Sequence, residues 1–198
     1  MRQKFSLSKF LTISILVIVS RCYDIFTTYT YIPDLKGEIN PIVSVLHLGW
    51  IEVLIVQFLG VSLVIYTAYV YCFKTVTLVK YDKSISQSAF VSVFHFSNPN
   101  DFVKMLYKLP SNKHSLMYSL GAVLPKGLIL FSLLVGTSTT GLIFNESYKA
   151  FYRDYNIPIF MYLFSLLVFI YLAVGFYKKE REVRESLLVG GGSMGGKF

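Results

Sequence analysis

Two charged residues, Arg21 and Asp24, stand within an otherwise apolar stretch near the N-terminus. On a helix they and Thr28 fall at positions i, i+3 and i+7, so the three side chains share one face and the two charges can touch. An ionisable residue inside a membrane span costs about 2.5–3.5 kcal/mol on insertion scales and usually faces the protein interior. The stripe therefore indicates either an ion or ligand site or a neutral pair that only holds the helices in register.

Further polar residues could complete such a site. Glu38 and Asn40 form a Glu-x-Asn-Pro corner after this helix, and Gln57 and Lys126 lie within later apolar stretches. Carboxylate, amide and hydroxyl groups suit a hard cation or a proton relay, whereas Arg21 and Lys126 suit an anionic headgroup or a carboxylate. The corner also has a local explanation, because asparagine caps a helix and proline begins one.

The composition places these residues in a membrane. Of the 198 residues, 54% are hydrophobic and only 15% are charged, and the mean hydropathy is +0.56, far from the balance of soluble domains. We expect an all-α, polytopic membrane protein with short interfacial helices, a single membrane domain over residues 1–188 and a flexible tail at 189–198. Stretches long enough to cross a bilayer predict four transmembrane helices, at about residues 10–32, 50–73, 115–144 and 158–176.

The segment 74–114 is the largest stretch between predicted spans, and it holds six lysines against two aspartates. Within it, Asp101–Leu109 is predicted to be an amphipathic helix lying on an anionic leaflet. Periodicity leaves Ala89–Phe96 open between an interfacial turn and a strand-like stretch. Another short interfacial helix is expected over Pro41–Leu48, just before Trp50, a residue typical of the headgroup level.

Positive charge is concentrated on one side of the predicted spans. Lysine and arginine number three in the N-terminal tail, six in the central loop and five in the C-terminal tail, against three in the other two loops together. Because cytoplasmic loops carry the excess of positive charge, we expect a multi-pass protein of the cell membrane with both termini in the cytoplasm. The Glu-x-Asn-Pro corner then lies outside, and a cavity that it lines would open there.

Signatures of catalysis and metal binding are absent from the sequence. The three histidines lack the spacing of a zinc helix, both cysteines lie in apolar stretches, and no nucleophile elbow or phosphate-binding loop occurs. We expect no catalytic residue, no metal and no cofactor, and the charge pattern indicates topology rather than nucleic-acid binding. Because four spans are few for a self-contained transporter, the expected partners are the lipid bilayer and a second copy or a membrane subunit, with Gly136–Gly141 as a close-contact face.

The polar residues around the corner follow a fixed order, Asp24-x-x-x-Thr28, Gly37-Glu38-x-Asn40-Pro41 and Gly49-Trp50. This order resembles the core of a family of small uncharacterised prokaryotic membrane proteins, in which a helix of the Asp-x-x-Thr type precedes a Glu-x-Asn-Pro corner. The resemblance implies that the aspartate, threonine, glutamate and asparagine act together, and it implies no activity. The family has a lysine in the helix after the corner where this sequence has Gln57, and Lys126 from another helix is the candidate replacement.

Three functions stay open on this evidence. The favoured one is a non-enzymatic membrane protein whose polar site binds or conducts a small ion or solute, or an accessory subunit of a membrane complex. The second is a structural or assembly protein without a ligand site. The third is an intramembrane enzyme acting on a lipid or isoprenoid, with Asp24 and Glu38 as an acid–base pair or as ligands for a divalent ion.

Overall fold

The structure is a computed structural model of the chain, and it describes residues 7–35, 43, 48–74 and 85–191. The described residues form helices and contain no strand, which confirms the predicted all-α class. A five-residue 3-10 helix, Phe102–Leu106, precedes the fourth α-helix. The α-helices are α1 (Leu7–Tyr31), α2 (Trp50–Phe73), α3 (Gln87–Phe96), α4 (Lys113–Phe144), α5 (Glu146–Asp154) and α6 (Ile157–Gly191).

Four of these helices are long and apolar enough to cross a membrane, as predicted. They are α1, α2, α4 and the part of α6 from Ile157 to Ser186. Many of their large apolar side chains are exposed, which suits a surface in contact with lipid tails. We call the end of the bundle where α1 and α4 begin the basic end, and the end where they finish the corner end. The side of the membrane that each end faces stays a prediction.

The last helix, α6, is longer than the span predicted for it and continues into the charged C-terminal segment. Two ion pairs at i, i+4 spacing lie in this extension. Arg181 Nε donates to Glu185 Oε1 at 2.7 Å, and Arg184 Nη2 lies 2.6 Å from Glu180 Oε1. Pairs at this spacing stabilise a helix by about 0.2–0.5 kcal/mol each. The charged residues therefore favour continuation of the helix beyond the apolar span.

The central helix is α4, since α1, α2 and α6 all pack against it. Gly121 brings α4 and α2 together at backbone distance: a Cβ atom at this position would lie 1.9 Å from the carbonyl oxygen of Thr67. Gly136 does the same for α1, where a Cβ atom would lie 2.5 Å from the ring of Tyr23. The small residues of α4 therefore set how closely both neighbours approach.

The Gly136–Gly141 stretch, expected as a face for a second chain, makes contacts within this chain. Gly136 lies against Tyr23 of α1, and a Cβ atom at Gly141 would come within 3.0 Å of the Tyr148 ring of α5. The hydroxyl of Ser138 is 2.8 Å from the Tyr148 hydroxyl, which also ties α4 to α5. The oligomeric state stays a prediction.

At the basic end, α3 packs into an aromatic cluster between the ends of the long helices. The segment left open between a turn and a strand is thus an α-helix, capped by Ser86, whose hydroxyl accepts a hydrogen bond from the Ala89 amide at 3.2 Å. Seven of its residues in a row are buried, and burial against neighbouring helices decides the conformation where the hydrophobic period is ambiguous. The buried members of the cluster are Val70, Phe90, Val91, Phe94 and Tyr118.

Two other connecting segments differ from expectation or lie outside the described residues. The predicted amphipathic helix Asp101–Leu109 is replaced by the 3-10 helix; the Asp101 carboxylate pairs with Lys104 at 2.8 Å and makes no capping hydrogen bond. The predicted interfacial helix Pro41–Leu48 lies outside the described residues, apart from the buried Val43 and from Leu48 at its end.

Candidate functional site

Arg21 and Asp24 form the ion pair that their spacing predicts. Nη1 of Arg21 lies 2.7 Å from Oδ2 of Asp24, and the two residues are only 7% and 6% exposed. Each charge is taken out of solvent, and removing one partner of such a pair leaves the other uncompensated. The two charges therefore depend on each other, and loss of either one is expected to destabilise the folded protein.

The Arg21 guanidinium also reaches two other helices. Nη1 donates a second hydrogen bond to the Ser132 hydroxyl of α4 at 3.0 Å, and Nη2 donates to the Gln57 side-chain oxygen of α2. Arginine suits this task because its planar group offers five N–H donors in fixed directions. One side chain thus connects α1, α2 and α4 within the predicted membrane.

The hydrogen-bonding capacity of Arg21 is not used up by the described residues. Its Nε is buried and has no partner among them, and Nη2 carries a second hydrogen beyond the one given to Gln57. A buried donor without a partner costs about 1–3 kcal/mol. An arginine that served only to join helices would be expected to satisfy these groups.

A cavity of about 80 Å³ borders the ion pair. Arg21, Asp24, Thr28 and Gln57 contribute polar groups to its wall, and aliphatic and aromatic side chains, among them Trp50 and Tyr162, form the remainder. Such a space holds an ion or a few water molecules and is much smaller than the pocket of a drug-sized ligand. The site can therefore enclose a small group or one end of a larger solute.

Trp50, at the start of α2, forms part of the wall of this cavity. Its indole N–H donates to the carbonyl oxygen of Pro33 at 2.8 Å, and its ring meets that of Tyr29 at a centroid distance of 5.2 Å. These contacts join the end of α1 to the start of α2. The tryptophan, expected as a headgroup anchor, thus also shapes the site.

A larger groove of about 720 Å³ adjoins the small cavity at the corner end. The two spaces share four lining residues from α1, α4 and α6: Thr28, Phe131, Val135 and Tyr162. The groove and the small cavity are therefore neighbours, separated by these four side chains.

Charged side chains stand at the far end of this groove, where Asp34, Lys149 and Arg153 contribute to its wall. The ammonium group of Lys149 donates to Glu146 at 2.6 Å, and this hydrogen bond raises the pKa of Lys149. Arg153 lies 3.6 Å from the carboxylate of its neighbour Asp154. The groove entrance therefore carries fixed charges of both signs.

Only some of the residues predicted for the site lie close together in the structure. Arg21, Asp24 and Gln57 converge, and Thr28 lies in the wall of the same cavity. Lys126, predicted to join them, is exposed on α4, does not line the cavity and is influenced electrostatically by Lys9 and Lys179. The proposed replacement of a lysine by Lys126 therefore has no support from this geometry. Glu38 and Asn40 lie outside the described residues.

Ser132 is a member of the site that the sequence did not reveal. A single serine in an apolar span is common and carries no signal by itself. The helical spacing gives a weak signal. Gly136 and Thr139 follow Ser132 at i+4 and i+7, so the three small residues lie on one face of α4. All three are buried, and this stripe is the face against which α1 packs.

A second buried polar cluster lies at the basic end, around His95 of α3. Its Nε2 is 2.6 Å from the Tyr177 hydroxyl of α6, and its Nδ1 is 3.3 Å from the Ser115 hydroxyl of α4. Burial lowers the pKa of His95 to about 4, so the ring is neutral at neutral pH. The cluster joins α3 to both long helices, and the described residues contain no group of three metal-ligating side chains there or elsewhere.

Comparison with protein-family models, curated proteins and solved structures found no match. The fold and the site define a helical protein with four candidate membrane spans and a buried Arg–Asp pair that is shared among three of its helices. The resemblance to a prokaryotic family stays a prediction.

Proposed function

We propose that this protein is an integral membrane protein that binds a small ion or polar solute at the Arg21 site. The observation that carries the proposal is the Arg21 guanidinium, which lies within a membrane span beside a cavity that adjoins the corner-end groove. Charged residues at such positions are expensive and usually serve a substrate or ion. The unused donors of Arg21 add to this argument.

The chemistry of the site suits a small charged group. The Asp24 carboxylate can accept a cation, and the remaining N–H donors of Arg21 and Gln57 can bind an oxyanion. Because the Arg–Asp pair is neutral, a bound ion is expected to take over part of the contact between the two side chains. The volume of about 80 Å³ limits the enclosed part to an ion or a small functional group.

The distribution of positive charge indicates the orientation of the protein in the membrane. We place the protein in the cell membrane with both termini in the cytoplasm, so that the groove opens to the outside. Its partners are the bilayer and a second copy or another membrane subunit, because four spans are few for a transporter acting alone. An accessory role in a membrane complex, with binding at the Arg21 site, is consistent with both features.

A second candidate is a structural role, in which the charges only hold the bundle together. The observation in its favour is that Arg21 donates hydrogen bonds to Asp24, Gln57 and Ser132, three partners on three helices. In that case the protein serves assembly in the membrane and has no ligand. The two functions differ in whether any solute stabilises the folded protein.

The test is a thermal-unfolding screen of the purified protein in nanodiscs against sodium, potassium, chloride, nitrate, acetate and glycine at constant ionic strength. A ligand present at 100 times its Kd stabilises the folded state by about 2.7 kcal/mol, so at least one probe should raise Tm. Arg21→Lys keeps the charge and loses the planar group, and it should abolish that rise.

The matched control is Tyr23→Phe, which removes a 2.9 Å hydrogen bond between α1 and Thr140 of α4 away from the cavity. This variant should unfold at a lower temperature and keep the full ligand-dependent rise. A wild-type protein whose Tm responds to no probe would instead favour the structural role, as would equal responses in Arg21→Lys and Tyr23→Phe.

A further inference from the structure

The corner-end groove runs between two long helices that do not pack closely on each other. Both α1 and α6 lie against α4, but their backbones hardly approach one another. The end of α1 and the turn after it form one wall, and the start of α6 forms the other. The volume of about 720 Å³ is within the range of ligand pockets, about 300–1,000 Å³. The groove therefore accommodates a ligand much larger than an ion.

One face of α4 forms the floor of this groove. Phe131, Val135, Thr139 and Leu142 all line the groove, and their helical spacing places them on the same side of the helix. The first and last of them are eleven residues apart in a candidate membrane span, which corresponds to about 16 Å at 1.5 Å per residue. Three of the four side chains are apolar, so the floor suits a hydrocarbon chain that lies along α4.

Three charged side chains line the groove at the corner end of the bundle. Asp34 follows α1, and Lys149 and Arg153 belong to α5. This short helix begins after α4 has ended and has no buried residue, so its cations lie beyond the apolar spans. Among the described residues, the acidic neighbours of these cations, Glu146 and Asp154, do not line the groove. Two positive charges and one negative charge therefore border its charged end.

The charged end of the groove matches the level of lipid headgroups in a membrane. Trp50, a residue typical of that level, donates its indole N–H to the Pro33 carbonyl oxygen at 2.8 Å, and Pro33 is itself part of the groove wall. Tyr31 and Tyr152 line the same end, and tyrosine is also enriched at the membrane interface. The groove thus combines charges at headgroup level with an apolar floor that continues into the span.

We infer that the corner-end groove binds a phospholipid whose headgroup carries a primary amine, such as phosphatidylethanolamine. The phosphate accepts charge-assisted hydrogen bonds from Lys149 and Arg153, the ammonium group donates to the Asp34 carboxylate, and one acyl chain lies on the α4 floor. This occupant matches both signs of charge and the apolar floor at once. A lipid without an amine would place no donor beside Asp34. The lipid site does not depend on the ion or solute proposed for the Arg21 site.

Lipid binding can be measured by native mass spectrometry of the purified protein titrated with phosphatidylethanolamine, phosphatidylcholine or phosphatidylglycerol of identical acyl chains. Phosphatidylcholine has the same charges as phosphatidylethanolamine but no N–H donor. The wild type should therefore bind phosphatidylethanolamine about tenfold more tightly, the effect of one charge-assisted hydrogen bond. Phosphoethanolamine, the headgroup without acyl chains, should not compete at equal concentration.

Two exposed residues of the groove can be changed separately. Asp34→Asn should reduce the preference for phosphatidylethanolamine over phosphatidylcholine to about twofold or less, because the amide cannot pair with an ammonium group as a charge. Arg153→Gln should weaken the binding of both lipids about fivefold and keep their ratio, since it removes a contact to the phosphate.

The matched control is Asp154→Asn, which removes an exposed carboxylate of α5 that does not line the groove. It should keep the full preference for phosphatidylethanolamine. The inference is overturned if the wild type binds phosphatidylethanolamine and phosphatidylcholine equally, if phosphatidylglycerol binds most tightly, or if the two asparagine variants lose the preference to the same extent. Competition by phosphoethanolamine at equal concentration would contradict the role of the α4 floor.

Discussion

Gln57 of α2 accepts a hydrogen bond from the guanidinium of Arg21 in α1, between two helices that run in opposite directions through the bundle. The neutral amide supplies an acceptor without adding a charge, so the Arg21–Asp24 pair stays balanced. A lysine at this position would place a second cation beside Arg21. The identity of residue 57 therefore determines the net charge of the site.

Gln57→Lys should lower stability more than Gln57→Leu. Leucine removes the acceptor and leaves one N–H of Arg21 without its partner, at a cost of about 1–3 kcal/mol. Lysine adds a buried charge without a counter-ion, for which about 3–5 kcal/mol is expected. Chemical unfolding of the two variants in detergent gives the comparison. A lysine variant that is as stable as the leucine variant would mean that another carboxylate reaches the site.

Arg21 and Asp24 should be strongly coupled in a double-mutant cycle. Arg21→Gln or Asp24→Asn alone leaves a buried charge and should cost about 3–5 kcal/mol. The double variant leaves none, so its loss of stability should be clearly smaller than the sum of the two single losses. Free energies of unfolding for the four proteins provide the test, and additive losses would contradict the buried pair.

Gly121→Ala should destabilise the packing of α4 on α2. The added Cβ atom would lie 1.9 Å from the Thr67 carbonyl oxygen, which is backbone and cannot move aside without shifting the helix. Overpacking of this kind costs about 1–3 kcal/mol. The matched control is Gly60→Ala, where no atom lies within 4 Å and alanine should be neutral or favourable. Equal Tm changes in the two variants would contradict the close approach of α4 and α2.

Stability should fall between about pH 6.5 and pH 4 because of His95. Burial holds its pKa at about 4 in the folded chain, against 6.5 when unfolded. Within this window the unfolded state binds a proton that the folded state does not. The free energy of unfolding therefore increases as the pH rises from 4 to 6.5 and decreases as the pH falls through the same range. The full loss is about 3 kcal/mol at 1.36 kcal/mol per pKa unit.

Thermal unfolding from pH 7 to pH 4.5 measures the His95 effect. His95→Gln should flatten the dependence of Tm on pH. Tyr177→Phe removes the hydroxyl 2.6 Å from Nε2 and should lower Tm at every pH while keeping the slope, since the slope comes from burial. A slope that survives in His95→Gln would assign the effect to another group.

Much of the architecture could be predicted because it depends on local pattern. The lengths of the apolar stretches match the thickness of a bilayer, and the i, i+3 spacing of Arg21 and Asp24 sets their contact within a single helix. The extension of α6 could also have been predicted from its i, i+4 pairs. For α3 this was not possible, because a short apolar run is ambiguous until its neighbours bury it.

The sequence by itself determined the four spans, the Arg21–Asp24 pair and its place within a helix. Only the tertiary structure decided that Gln57 and Ser132 join this pair and that Lys126 lies apart from it. The physical reason is that the contacts between helices depend on how far each helix is shifted along its neighbour. Close packing between helices, such as that of Gly121 on Thr67, sets this shift. The spacing of residues within a single helix does not predict it.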